Sequence, residues 1–148
     1  MSTSSLFPSE ESYRAEIDQR IVDMLSGYRL GLRGEHLDSA EMAVLRAIRF
    51  HRGASNAISI RELQSRMKLS EREIKQIVRT LRIDFRLPIG SSKHSTSGGY
   101  FIIVSIEDQD IAAKGPLEQI RAEAEVLKVV TSPERTRELL GQIQLEVN

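Results

Sequence analysis

The chain has 148 residues, equal numbers of acidic and basic side chains, and no cysteine. The lack of cysteine excludes disulfides, thiolate metal sites and a cysteine nucleophile. Residues 1–5 are neither basic nor strongly apolar, and no later apolar run approaches the ~20 residues that a membrane span needs. We therefore expect a cytoplasmic protein that makes no membrane contact.

The zero net charge hides an uneven distribution along the chain. Residues 39–106 hold twelve Lys or Arg and five Asp or Glu, whereas residues 1–38 hold four and seven, and residues 107–148 hold five and nine. A basic middle between acidic flanks is typical of nucleic-acid-binding proteins. The alternative is that the three segments are ordinary solvated surfaces.

The first predicted element is a helix that begins at about Ser9. Its apolar residues recur at helical spacing and are Ile17, Ile21, Met24, Leu25 and Tyr28. We expect the helix to end near Gly27, where the first of several glycines interrupts the pattern, and residues 27–37 to form a linker.

Three helix starts in the middle of the chain carry the capping-box pattern, in which an acidic or hydroxyl residue is followed three positions later by Glu. The pairs are Asp38 with Glu41, Ser59 with Glu62, and Ser70 with Glu73. In this pattern each side chain accepts a hydrogen bond from an otherwise unpaired backbone N–H. The last two helices are separated by a tight turn at residues 68–69, which is the helix-turn-helix arrangement. Between the first two helices, Ile58 is expected to add a short strand.

A β-hairpin is predicted after the third of these helices, which we expect to end at residues 83–85. Pro88 favours an extended chain, and residues 89–92 form the first predicted strand. Residues 93–99 form a polar turn, and residues 100–104 form a second strand rich in β-branched and aromatic side chains.

Two amphipathic helices are predicted after the hairpin. The first begins at Gly115-Pro116, and its apolar face consists of Leu117, Ile120, Ala124, Leu127 and Val130. Thr131 and Ser132 cap the second, which has Pro133 in its first turn. Its apolar side consists of Leu139, Leu140, Ile143 and Val147. The flanking helices can pack on the same domain or on a second copy, and we expect a homodimer formed through the terminal helices.

The helix after Ser70 carries the main candidate binding surface. At ~100° per residue, its apolar and basic residues fall on two neighbouring arcs. The apolar residues are Ile74, Ile77, Val78 and Leu81, and the basic residues are Arg72, Lys75, Arg79 and Arg82. The alternative is that these are the Lys and Arg residues that any surface helix carries.

A cationic helix suits DNA because the major groove accommodates one helix and its base edges carry the sequence information. We therefore predict that Arg72, Lys75 and Gln76 contact bases and that Arg79 and Arg82 contact phosphates. Glu71 either repels phosphate or accepts a hydrogen bond from a cytosine amino group.

The predicted hairpin tip, residues 91–97, contains hydroxyl groups, Lys93 and His94. This composition suits phosphate contact or minor-groove entry, and the alternative is an ordinary polar loop. The other two histidines, His36 and His51, lie in separate elements without metal-ligand or catalytic spacing. We expect no enzymatic activity, cofactor, metal or small-molecule ligand.

The segments AISIREL (57–63), LSEREI (69–74), LPIGS (87–91) and GGYF (98–101) resemble the winged helix-turn-helix superfamily. The resemblance covers residues 38–106 and is greatest to the winged domains of bacterial repressors, of the biotin operon repressor and of phage proteins. It implies that the third helix enters the major groove and that the hairpin touches the DNA backbone. The residues to which it assigns these contacts are Ser70, Arg72, Lys75, Gln76, Arg79, Lys93 and His94.

The expected fold is mainly α with a small β-hairpin. A winged helix-turn-helix core, residues 38–106, lies between an N-terminal helix and linker (1–37) and a C-terminal helical extension (107–148). The expected function is sequence-specific or site-marking binding of double-stranded DNA by a bacterial or phage transcriptional regulator. The alternative is a protein–protein interaction module of a replication, packaging or chromosome-segregation assembly.

Overall fold

A computed structural model describes residues 9–93 and 98–147 of the chain. Within these residues it contains six α-helices, a short 3-10 helix and a two-stranded antiparallel sheet. The helices are α1 (Glu10–Leu25), α2 (Ser39–Ile48), α3 (Ile60–Met67), α4 (Glu71–Ile83), α5 (Ile106–Val130) and α6 (Pro133–Val147), and the strands are β1 (Ile89–Ser92) and β2 (Gly99–Ile102). The prediction of a mainly helical chain with one hairpin is confirmed.

The starts of α2 and α4 are held by complete capping boxes, as predicted. At α2, the Glu41 backbone N–H donates to Asp38 (2.7 Å) and the Asp38 backbone N–H donates to Glu41 (2.9 Å). At α4, Ser70 and Glu73 exchange the same two bonds at 3.1 Å each. Each box satisfies a donor that the helix itself leaves unpaired.

The predicted capping box at the start of α3 is only half formed. Ser59 accepts a hydrogen bond from the Glu62 backbone N–H at 3.1 Å. The Glu62 carboxylate forms an ion pair with Arg66 one turn later, so it lies along the helix and not over the Ser59 backbone. A guanidinium four residues away competes for the carboxylate.

The turn between α3 and α4 comprises residues 68–70. Lys68 closes α3 in the left-handed conformation (φ 54°), and its backbone N–H donates to the Gln64 carbonyl at 2.9 Å. The predicted tight turn is therefore present, and it brings the first turn of α4 close to the end of α3.

The hairpin is joined to the helices by a third extended segment at Ile58. The β1–β2 register pairs Ile89 with Ile102 and Ser92 with Gly99. On the other edge of β2, the Ile58 N–H donates to the Tyr100 carbonyl (2.8 Å) and the Tyr100 N–H donates to the Ile58 carbonyl (2.9 Å). The strand contribution predicted at Ile58 is confirmed, whereas β2 ends at Ile102 and does not continue to residue 104.

Helices α1 to α4 and the hairpin share one apolar core. Its fully buried members include Ile21 of α1, Leu45 of α2, Leu63 of α3 and Ile74 of α4. α1 therefore packs in the same compact unit as the hairpin. The predicted apolar face of α1 includes one error, because the helix ends at Leu25 and Tyr28 lies beyond it, 87% exposed.

The chain divides into two compact units, one up to Ala112 and one from Ala113 onward. The predicted start of α5 at Gly115-Pro116 is wrong, because α5 begins at Ile106 and contains Pro116 in its interior. Proline cannot donate the backbone hydrogen bond that would reach Ala112, so this carbonyl loses its helical partner at the boundary between the units. The predicted start of α6 is confirmed, and the Arg135 N–H donates to the Ser132 hydroxyl (3.1 Å).

Candidate nucleic-acid interface

Helix α4 has one side in the core and one side in solvent. The side chains of Ile74, Val78 and Leu81 are fully buried, and Ile77 is partly buried against the same cluster. The exposed residues of α4 include four that we call the α4 face, namely Arg72, Lys75, Gln76 and Arg79. The predicted division of the helix into an apolar arc and a basic arc is confirmed for these residues.

The first turn of α4 positions the α4 face through Ser70. Because the Ser70 hydroxyl accepts from the Glu73 N–H, it helps to fix where the helix starts. Ser70 is itself exposed. The structure therefore gives this residue a definite positioning role at the N-terminus of α4, whose unpaired N–H groups favour an anion.

Lys75 has an acidic neighbour on its own helix. Its ammonium group lies 2.9 Å from the Glu71 carboxylate, and both side chains are more than half exposed. This hydrogen bond, together with the Glu71 charge, raises the pKa of Lys75, so the group stays cationic. An exposed pair of this kind is weak, so a stronger anion can displace Glu71. The i, i+4 spacing of the two residues is a sequence signal from which the pair could have been predicted.

Arg82 lies on the flank of α4 that adjoins the hairpin. Its Nε donates to the Ile89 carbonyl (2.7 Å), and its guanidinium carbon lies 5.7 Å from the centre of the Tyr100 ring. Burial lowers the pKa of Arg82, and Tyr100 acts in the opposite direction. The structure thus separates Arg82 from the α4 face and gives it a role in attaching β1 to α4.

A groove of about 330 Å³ lies between α4 and the hairpin. Its walls carry two cations, Lys75 from α4 and Lys93 directly after β1, and its floor includes Tyr100, which is 5% exposed. Ile60, Ser91, Ser92, Gly98 and Gly99 complete the lining. Burial raises the pKa of the Tyr100 phenol, against the opposing effect of Arg82, so this floor is neutral at physiological pH.

The structure brings together three of the predicted contact regions: the start of α4, the α4 face and Lys93. His94 lies outside the described residues. Sequence reasoning missed Ile60, Gly99 and Tyr100 as parts of the groove, because their proximity to Lys75 depends on the pairing of Ile58 with β2.

The arrangement is suited to holding an anion or a polyanion on a surface. It has exposed cations and a shallow groove, and in the described part of the chain no three or more His, Cys, Asp or Glu side chains are grouped so that they could hold a metal. None of the helices in that part is long and apolar enough to cross a membrane. No protein-family model, curated protein or solved structure matches this chain.

Proposed function

We propose that residues 38–106 form a winged helix-turn-helix domain and that this domain binds double-stranded DNA through α4. The observation that carries the proposal is the α4 face, where Arg72, Lys75, Gln76 and Arg79 are exposed together on a helix whose other side is buried. A single helix fits the major groove of B-DNA. The buried side holds the helix backbone in place, so binding has to order only the exposed side chains.

The chain order and the hairpin support the same proposal. Two short helices joined by a tight turn precede a hairpin, and Lys93, directly after the first strand, lines the groove beside Lys75. In a complex, a helix in the major groove and a hairpin beside it would straddle one DNA strand. The hairpin side of the groove would then lie against the phosphates of that strand, where the Lys93 ammonium group and serine hydroxyls are suitable partners.

The residues have separate roles in this proposal. Arg72, Lys75 and Gln76 lie in the first half of α4 and would reach base edges, since arginine pairs with guanine and glutamine with adenine in the major groove. Arg79 and Lys93 would contact phosphates. The recognised site is then set by three side chains, and most of the non-specific affinity by the cations.

The test is duplex binding measured by fluorescence anisotropy over a range of salt concentrations. We expect binding of a mixed-sequence duplex that weakens steeply as salt rises, because each phosphate contact contributes about −0.9 to the slope of log K against log salt. Arg72→Gln together with Lys75→Gln is expected to reduce duplex affinity at least tenfold. The matched control is Arg135→Gln together with Arg137→Gln in α6, which removes the same charge and is expected to leave affinity within about twofold.

Glu71→Gln is a variant that is expected to increase duplex affinity, whereas the double variant decreases it. It removes the carboxylate that pairs with Lys75 and a negative charge next to the DNA, so affinity is expected to rise by about two- to fivefold at low salt. Circular dichroism and thermal unfolding check that each variant keeps its fold. If wild-type protein fails to bind duplex at ~50 mM salt, the DNA proposal is rejected in favour of a protein-interaction module. Unchanged binding by the α4 double variant would reject the α4 face as the contact surface.

A further inference from the structure

The C-terminal unit, from Ala113 onward, has no apolar core within its described residues. Among its described residues, 113–147, Thr136 is the only buried one. The environment of Thr136 is polar, because its hydroxyl lies 2.6 Å from the hydroxyl of Thr131. Isolated helices of about 15 residues are only marginally stable in water, and most helix stability in proteins comes from packing of an apolar face. Helix α6, with 15 residues, is therefore expected to need packing of its apolar side against another surface to be stable.

The two helices of this unit each expose a continuous apolar side. On α5, Leu117, Ile120 and Val130 are 45%, 60% and 67% exposed and share one side of the helix with Ala124 and Leu127. On α6, Ile143 and Val147 are 53% and 77% exposed and follow the half-buried Leu139 and Leu140 along one side. The five exposed residues, Leu117, Ile120, Val130, Ile143 and Val147, are called the C-terminal stripe below.

We propose that the C-terminal stripe is the contact surface for a second copy of this chain. The charge of the unit favours that occupant, because residues 113–148 hold five basic and six acidic side chains. A nearly balanced surface offers nothing to attract a strongly basic or acidic partner, and two copies of it meet without repulsion. The acidic excess of the C-terminal third lies earlier, at Glu107, Asp108 and Asp110.

The size and form of the stripe also suit self-association. Its exposed side chains together present on the order of 500 Å² of apolar surface, to be compared with the ~800 Å² in total that each partner buries in a standard interface. A two-fold contact uses the same patch on both copies, so one stripe is sufficient for both sides of the interface. Two α5–α6 pairs brought together in this way would form a four-helix arrangement with the stripes inside.

The N-terminal and C-terminal helices differ in how their apolar sides are covered. The apolar side of α1 is used within its own unit, where Ile17 and Ile21 are buried. The dimer contact is therefore assigned to α5 and α6 alone. This dimer contact does not depend on DNA binding, and the resulting dimer would carry two α4 faces.

The absence of cysteine permits a direct test on the full chain. A single introduced cysteine can form a disulfide only with another copy. The substitutions Leu117→Cys, Ile120→Cys, Val130→Cys and Ile143→Cys are made one at a time, with Val129→Cys and Leu145→Cys as controls. The control residues are 84% and 77% exposed but lie on the opposite sides of α5 and α6. Under mild oxidation, we expect at least one stripe variant to form covalent dimer at least tenfold faster than either control.

Sedimentation equilibrium without DNA gives the second measurement. We expect wild-type protein to have twice the 16.7 kDa mass of one chain. Ile120→Glu together with Ile143→Glu is expected to raise the dimer dissociation constant at least tenfold, whereas Val129→Glu together with Leu145→Glu leaves it unchanged. A monomeric wild-type protein at 16.7 kDa, or equal cross-linking at stripe and control positions, overturns the inference. A dimer that fails to bind duplex overturns the DNA proposal and leaves this inference intact.

Discussion

The attachment of the hairpin depends on a close approach of two backbones at Gly99, and Gly99→Ala is the sharpest test of it. Gly99 has φ +141°, and a Cβ atom added there would lie 1.9 Å from the Ile58 carbonyl oxygen and 2.5 Å from the carbonyl carbon. No side-chain rotation can relieve that overlap, because both atoms belong to the backbone. The alanine variant must therefore move β2 away from Ile58.

The expected cost follows from what this movement breaks. The two Ile58–Tyr100 hydrogen bonds, at 2.8 and 2.9 Å, are lost, at a net cost of about 0.5–1.5 kcal/mol each. The backbone conformation of residue 99 adds about 1–3 kcal/mol once a Cβ is present. Together these changes predict a loss of about 2–6 kcal/mol in the free energy of unfolding, a large part of the stability of a small unit.

Gly34→Ala is the matched control, because it separates backbone strain from the clash. Gly34 lies in the same unit at φ +78°, with nothing within 4 Å of the added Cβ. This variant is expected to lose only the ~1–2 kcal/mol of left-handed strain. Urea unfolding followed by circular dichroism measures both changes. If the two variants lose equal stability, β2 is not held against Ile58, and the groove beside Lys75 loses its structural basis.

Two further predictions concern buried groups near the hairpin. Asp108 is 6% exposed, and its Oδ1 and Oδ2 accept hydrogen bonds from the backbone N–H groups of Ala54 (3.0 Å) and Val104 (2.9 Å), respectively. Asp108→Ala is therefore expected to lose about 2–4 kcal/mol in urea unfolding. Asp108→Asn is expected to lose nearly as much, because its amide turns one acceptor into a donor that faces a backbone N–H, and wild-type stability in both variants would refute the hydrogen-bonding explanation. Burial raises the pKa of Tyr100, which favours the neutral phenol in the folded state. Its contribution to stability is therefore complete below about pH 10 and is lost as the pH rises further. The unfolding free energy of wild type should fall relative to that of Tyr100→Phe above pH 10, and a constant difference would contradict the assignment.

The local features of α4 could be predicted because they depend on neighbours in sequence. Ser70 and Glu73 are three positions apart in the sequence. One helix turn therefore brings the two side chains into contact wherever the helix lies. The buried and exposed sides of α4 follow from helical periodicity in the same way. The α4 face was therefore evident from the residue order, and so was the hairpin that follows Pro88.

Contacts between distant segments were beyond the reach of the sequence. Arg82 has the same spacing as the residues of the α4 face, and only the placement of β1 beside α4 directs its Nε to the Ile89 carbonyl. The groove beside Lys75 likewise requires Ile58, forty-two positions before Tyr100, to pair with β2.

The sequence by itself determined where most helices start, which residues of α4 are buried and where the chain is basic, because these properties arise within one or two helical turns. Only the tertiary structure decided that α1 is used in the core, that α5 continues through Pro116 and that the residues of the C-terminal stripe are exposed. The physical reason is that an apolar surface becomes buried only when a second surface packs against it. The sequence shows which helices have an apolar side that requires a packing partner. Only the packed structure shows which of these sides is already covered.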